Sequence, residues 1–129
     1  MRTFKYQSTP DMSPSFSFSE KTVGFLIEDG VFNKKRAASL IAEIEKKIER
    51  FGSINLYLED QGVERFTLPA ISEHLLFKYE HKENLGKVAL VSDRKWIHAC
   101  ASIEKLLLPI NVKSFAVEKR LEAMKWIME

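Results

Sequence analysis

The sequence predicts an α/β domain: a mixed, mostly parallel sheet of about five strands carrying four helices. Three observations lead there. Apolar positions recurring at intervals of three and four alternate with short strand-like runs from Val23 to the end of the chain. Two early segments with period-two alternation meet at a turn-like Glu20-Lys21, which suggests a hairpin. The run Lys87-Val88-Ala89-Leu90-Val91 is apolar almost throughout, as in a strand covered on both faces of a parallel sheet.

Residues 1–14 read as a loop-rich N-terminal segment, because Ser and Pro gather from Ser8 onward. Phe16-Ser17-Phe18-Ser19 then alternates, and Val23, Phe25 and Ile27 continue the pattern until Asp29-Gly30 stops it. Asn33 suits the N-cap of a first helix. Its stripe is Ala37, Leu40, Ile41, Ile44, Ile48 and Phe51, and Gly52 closes it. Ser53 to Leu58 forms the next strand, closed by Glu59-Asp60-Gln61-Gly62. A second helix runs from Leu68 or Pro69 to His81, with Ile71, Leu75 and Tyr79 as its core face and Gly86 ending the region. After Val91, Ser92 or Asp93 caps a third helix whose stripe is Trp96, Ala99, Cys100, Ile103 and Leu107, broken at Pro109. Val112 to Val117 is the last strand. Glu118 to Met128 is the last helix, with Leu121, Met124 and Met128 on one side and Ala123 and Ile127 beside them. Alternation of this kind implies right-handed crossovers within a single domain of 129 residues.

Composition narrows the function more by exclusion than by assertion. The chain is 45% hydrophobic and 29% charged, ordinary values for a folded domain. Its 20 basic and 18 acidic residues leave a net charge of +2, without the basic excess that duplex nucleic acid requires, so no nucleic-acid partner is expected. A single cysteine cannot pair within the chain, and Met1 to Tyr6 carries no apolar run of a signal peptide. No apolar stretch approaches the roughly 20 residues of a transmembrane helix. These features predict a cytoplasmic protein.

The candidate chemical groups are few. No phosphate-binding glycine loop occurs among the 5 glycines. His74 and His81 lie two helical turns apart rather than one, which suits solvated histidines better than a zinc pair. His98 and Cys100 point in different directions on their helix, and Cys100 reads as a buried, inert thiol. Glu59 and Asp60 are adjacent, do not converge on one atom, and read as a solvated loop. Lys34-Lys35-Arg36 reads as a solvated face at a helix start. No metal site, catalytic residue or cofactor is expected. Ser92-Asp93-Arg94-Lys95-Trp96 stands out because it follows the carboxyl end of a central parallel strand, where ligands of open α/β sheets gather. On a purely structural reading Asp93 caps the helix and Trp96 packs on the sheet; on a functional reading Ser92, Asp93 and Trp96 are the candidate ligand- or partner-binding residues.

The same stretch, followed by Val112-Lys113-Ser114-Phe115, Glu118, Ala123 and Trp126, resembles the SpoIIAA-like family. Members of that family show a strand reading roughly V-A-V-V-G-D, a Trp, a strand ending in Phe-Asp, and a helix with an Ala-x-x-Trp pattern. Gly30 fits the resemblance and joins the candidate residues. The likeness covers most of the chain from Val23 onward. It implies a STAS-like fold, related to anti-sigma-factor antagonists and more remotely to CRAL-TRIO lipid-binding domains, and no established activity. Ser92-Asp93 replaces the usual Gly-Asp, and Phe115-Ala116 the usual Phe-Asp. The stretch Gln61 to Pro69 holds no serine for the antagonists' phosphorylation switch.

The sequence thus leads to a non-enzymatic binding or protein-interaction module, with an unknown protein partner and a homodimer left open. The alternative is a small carrier of an apolar ligand such as a lipid or acyl chain, favoured by 9 Phe, 4 Met and 2 Trp.

Overall fold

The alternating pattern folds as a sheet with helices on both faces. A computed structural model describes residues 7–9, 12–19, 21–108 and 110–129, with side chains from residue 21 onward apart from 109. In chain order the elements are β1 (Gln7–Thr9), β2 (Met12–Ser19), β3 (Thr22–Glu28), β4 (Val31–Phe32), α1 (Lys34–Phe51), β5 (Ile54–Gln61), β6 (Arg65–Phe66), α2 (Leu68–Glu80), β7 (Leu85–Val91), α3 (Lys95–Leu107), β8 (Asn111–Phe115), a 3-10 turn (Val117–Lys119) and α4 (Arg120–Met128). Six strands form the main sheet in the order β1-β2-β3-β5-β7-β8, and β4 pairs with β6 in a small parallel ribbon. The pairs β1–β2 and β2–β3 are antiparallel, and the rest of the main sheet is parallel.

The expected loop at residues 1–14 is corrected where the chain is described: residues 7–9 and 12–14 are strand. The alternation at Phe16 to Ser19 extends back to Met12, and the open edge of β3 offers backbone partners to any residue that can lie extended. Met1 to Tyr6 and Glu20 lie outside the described residues, as does Pro109, the expected breaker of α3. The extra strand β1 makes the sheet six-stranded.

Each crossover steps one strand in the same direction, so α1, α2 and α3 all pack on one face. There Val23, Phe25 and Ile27 of β3, Leu56 and Leu58 of β5 and Val88 and Leu90 of β7 form the main core. The intervening residues Tyr57, Ala89 and Val91 point to the other face and meet Ala123 and Ile127 of α4. β7 lies between β5 and β8, and Val88 to Val91 are buried.

α1 follows its sequence closely. Asn33 accepts a hydrogen bond from the Arg36 amide at 3.0 Å, and Ala37, Leu40, Ile44 and Ile48 are buried. Burying each Leu or Ile contributes about 1.5–3 kcal/mol. Thr67 caps α2 through the Ala70 amide. The other helices are rotated from expectation. α2 buries Ala70, Phe77 and Lys78 rather than Leu75 and Tyr79. α3 buries Ala101 and Glu104, while Trp96, Ile103 and Leu107 are exposed. On α4, Ala123 and Ile127 are buried, and Leu121 and Met128 are exposed.

Two glycines have definite tasks. Gly30, with φ +66, turns the chain after β3. Gly86 lies inside β7 rather than ending a helix. A Cβ there would sit 2.5 Å from the Asn55 side-chain oxygen, which accepts the Lys87 amide.

Candidate functional site

β5 is longer than its sequence suggests and carries Glu59 and Asp60 as strand residues, which corrects the solvated-loop expectation. Adjacent strand residues face opposite ways. Asp60 reaches the face shared with α2 and α3, and Glu59 is buried on the other.

Asp60 organises the carboxyl end of the sheet. Its Oδ2 accepts from Ser92 Oγ at 2.8 Å and from Arg94 Nε at 2.8 Å, and its Oδ1 accepts from the Val63 amide. Ser92 Oγ in turn accepts the Arg94 amide at 3.1 Å, so Ser92 rather than Asp93 receives the first free amide near the start of α3. Arg94 also donates to the Val63 carbonyl and lies over the Phe66 ring at 5.1 Å. His98 Nε2 meets the Ser92 carbonyl at 2.7 Å. Ser92 is buried and bonded on both sides. His98 contacts its carbonyl and not its hydroxyl, so no imidazole stands ready to take the hydroxyl proton. The cluster braces the strand end against α3.

Asp93 is therefore corrected. It turns outward, and its Oδ1 accepts the Val117 amide at 3.0 Å, tying the turn after β7 to the start of the 3-10 segment. The N-cap position of α3 is Arg94, which makes no side-chain cap bond. Gly30 is likewise placed away from Ser92. Its carbonyl accepts the Glu64 amide, and Arg36 folds back beneath the turn onto the Asp29, Val31 and Glu28 carbonyls. Arg36 is thus a tie for that turn, not part of a solvated basic face.

Behind the Asp60 brace opens a crevice of about 670 Å³, its mouth included. Its floor is Ile27, Leu58 and Leu90 of the sheet, and its walls come from α2 and α3 with Phe32 and Phe66 of the ribbon. Phe66 stands edge-on to Trp96 at 5.3 Å and tilted to Phe32 at 5.4 Å, so three aromatic rings run in series along one side. Of the candidate residues, Ser92 and Trp96 line the crevice, whereas Asp93 and Gly30 do not. Trp96 is 39% exposed, at the rim rather than in the core.

The inner wall holds groups that the sequence reading did not assign to a site. His74 of α2 and Cys100 and Glu104 of α3 all line the crevice. Cys100 is partly buried, which corrects the expectation of an enclosed thiol. Glu104 is paired with Lys78 at 2.8 Å, with side-chain exposures of 6% and 0%. Burial lowers the Lys78 pKa, against the opposing pull of Glu104. His74 is not the solvated histidine expected: burial, and then the Lys78 ammonium, push its pKa well below the ordinary value. His81, by contrast, is near solvent and meets Glu45 at 2.9 Å. The only hint in the sequence was spacing, since His74 with Lys78 and Cys100 with Glu104 are each one helical turn apart. On the α4 face, Glu59 accepts from Tyr57 and Gln61 and pairs with Arg120 at 3.2 Å. Burial first, and then Glu59, raise the Tyr57 pKa. Among the described residues no three His, Cys, Asp or Glu groups gather as a metal site, and no helix is long and apolar enough to cross a membrane.

The SpoIIAA-like family model matches residues 23–128. The chain belongs to the SpoIIAA-like family. Among solved structures it is similar to an uncharacterised protein of the DUF3478 family with a SpoIIAA-like fold, from Shewanella loihica PV-4. The two share 14% identity at a TM-score of 0.65, over 97% of this chain and 92% of that one. At this identity the likeness concerns the SpoIIAA-like fold alone. No curated protein matches the chain.

Proposed function

We propose that this SpoIIAA-like protein is a non-enzymatic cytoplasmic binding module whose crevice takes a small apolar molecule. The observation that carries this reading is the crevice itself. It opens at the carboxyl end of the sheet, and apolar side chains with a few polar groups line it, as in small-molecule sites. The absence of an activated nucleophile at Ser92 supports binding over turnover.

A neutral fluorescent probe such as N-phenylnaphthylamine tests the reading. Trp96 at the rim serves as an internal reporter once Trp126 is replaced by Phe. Uptake should brighten the probe and change Trp96 emission, and Leu75→Trp, which crowds the wall, should prevent both. A wild-type protein that takes up no probe, and carries no apolar molecule detectable by native mass spectrometry, would refute the reading.

A second reading has its own observation. Leu68, Leu76, Tyr79, Ile103, Leu106 and Leu107 are exposed on α2 and α3. Clustered exposed apolar residues mark interaction surfaces, so a protein partner on these helices is the alternative.

A further inference from the structure

We infer that the crevice selects a neutral apolar alcohol over an apolar carboxylate, the hydroxyl seating against Glu104 and His74 on the inner wall. This inference rests on the small-molecule reading above and adds the polar end of the ligand.

The orientation of the buried ion pair is the starting point. Glu104 lines the crevice, and Lys78 does not. The pair therefore turns its carboxylate toward the space and its ammonium away. Glu104 Oε1 takes the Lys78 hydrogen bond at 2.8 Å. Its second oxygen has no hydrogen-bond partner among the described residues and is not among the fully buried atoms, so it faces the open space of the crevice.

His74 lies one turn before Lys78 on α2 and also lines the crevice. It makes no hydrogen bond with the described residues. Burial and the neighbouring Lys78 ammonium hold it neutral. A neutral imidazole offers one N–H and one lone pair.

These two groups ask for a ligand that both donates and accepts. A hydroxyl donates to Glu104 and accepts from His74. A carboxylate brings only acceptors and sets a second negative charge beside Glu104, which like-charge repulsion disfavours. An ammonium finds Glu104 already neutralised by Lys78, which would repel it. The apolar body then lies along Leu58, Leu90 and Phe66.

Displacement of N-phenylnaphthylamine from the full chain at neutral pH by decanol, decanoate and decylamine provides the test. Decanol should displace the probe at a concentration at least about tenfold below either charged competitor, about 1.4 kcal/mol. Glu104→Gln removes the like-charge repulsion, so decanoate should gain at least about tenfold on decanol. His74→Phe should keep probe uptake and weaken decanol selectively. Should Glu104→Gln fail to fold, the wild-type ratio and His74→Phe decide alone. Decanoate or decylamine competing as well as decanol against the wild type would overturn the inference, as would an unchanged ratio in a folded Glu104→Gln protein. In either case probe uptake persists and the small-molecule reading survives. Absence of probe uptake by the wild type removes both.

Discussion

His74 shows how one side chain sets a pH dependence. The unfolded chain protonates its imidazole near the ordinary 6.5, whereas the folded protein resists because burial and Lys78 depress its pKa. Below that value the unfolded state binds the extra proton, so stability falls as pH drops. The urea midpoint should decline from about pH 7 to about pH 5, and His74→Phe should flatten that decline. At the rim, Trp96 keeps 39% exposure and one edge-on aromatic neighbour. Trp96→Ala should cost clearly less than the about 3–5 kcal/mol of a fully enclosed indole, read from the same unfolding curves. Cys100 was read from the sequence as inert because it falls on an apolar stripe. Its partial exposure in the crevice wall instead predicts slow labelling by a thiol reagent, slowed further by bound decanol.

At the scale of the element, α1 and α2 differ in how far sequence fixes orientation. α1 has charge on every face but one, so its apolar stripe is its buried stripe. α2 and α3 are apolar on several sides, and α4 is short. Their inward faces were decided by the fit to the sheet. The result places Lys78 and Glu104 between α2 and α3 and leaves leucines outside. Lys78→Met alone strands Glu104 and should cost about 3–5 kcal/mol. Lys78→Met with Glu104→Leu removes both charges and should be near neutral or more stable than the wild type. A double-mutant cycle in urea separates the two outcomes. If the single substitution proved harmless, the pair would not be buried as described.

Over the whole molecule, crossovers that all step one way put three helices on one face and leave the other to α4. Among the described strands no reversal of order opens a crevice at the sheet's end. The space arises instead where α2 and α3 stand off from the sheet beside the β4–β6 ribbon. The same stand-off leaves Leu106 and Leu107 exposed at 87% and 75%. Replacing both by Ser should shift stability by less than about 0.5 kcal/mol per site. If this surface holds a partner, that double variant should lose the partner while keeping its thermal midpoint and its probe uptake.

The sequence by itself determined the α/β class, the four helices and the parallel strands of the main sheet from Val23 onward, the cap Asn33, and the family to which the chain belongs. Those features are local: period, capping residues and short motifs lie within a few residues of one another and act before distant segments meet. It also picked out Ser92 and Trp96, since they follow a strand end whose place in the sheet was legible. Only the tertiary structure decided that Asp60 is the partner of Ser92 and Arg94, that Asp93 ties down Val117 instead of capping α3, and that His74, Lys78, Cys100 and Glu104 meet between two helices. Each of these depends on the rotation of a helix about its axis or on contacts between residues far apart in the chain. Where a helix is apolar on several faces, many rotations bury comparable area, and the sheet it packs against makes the choice.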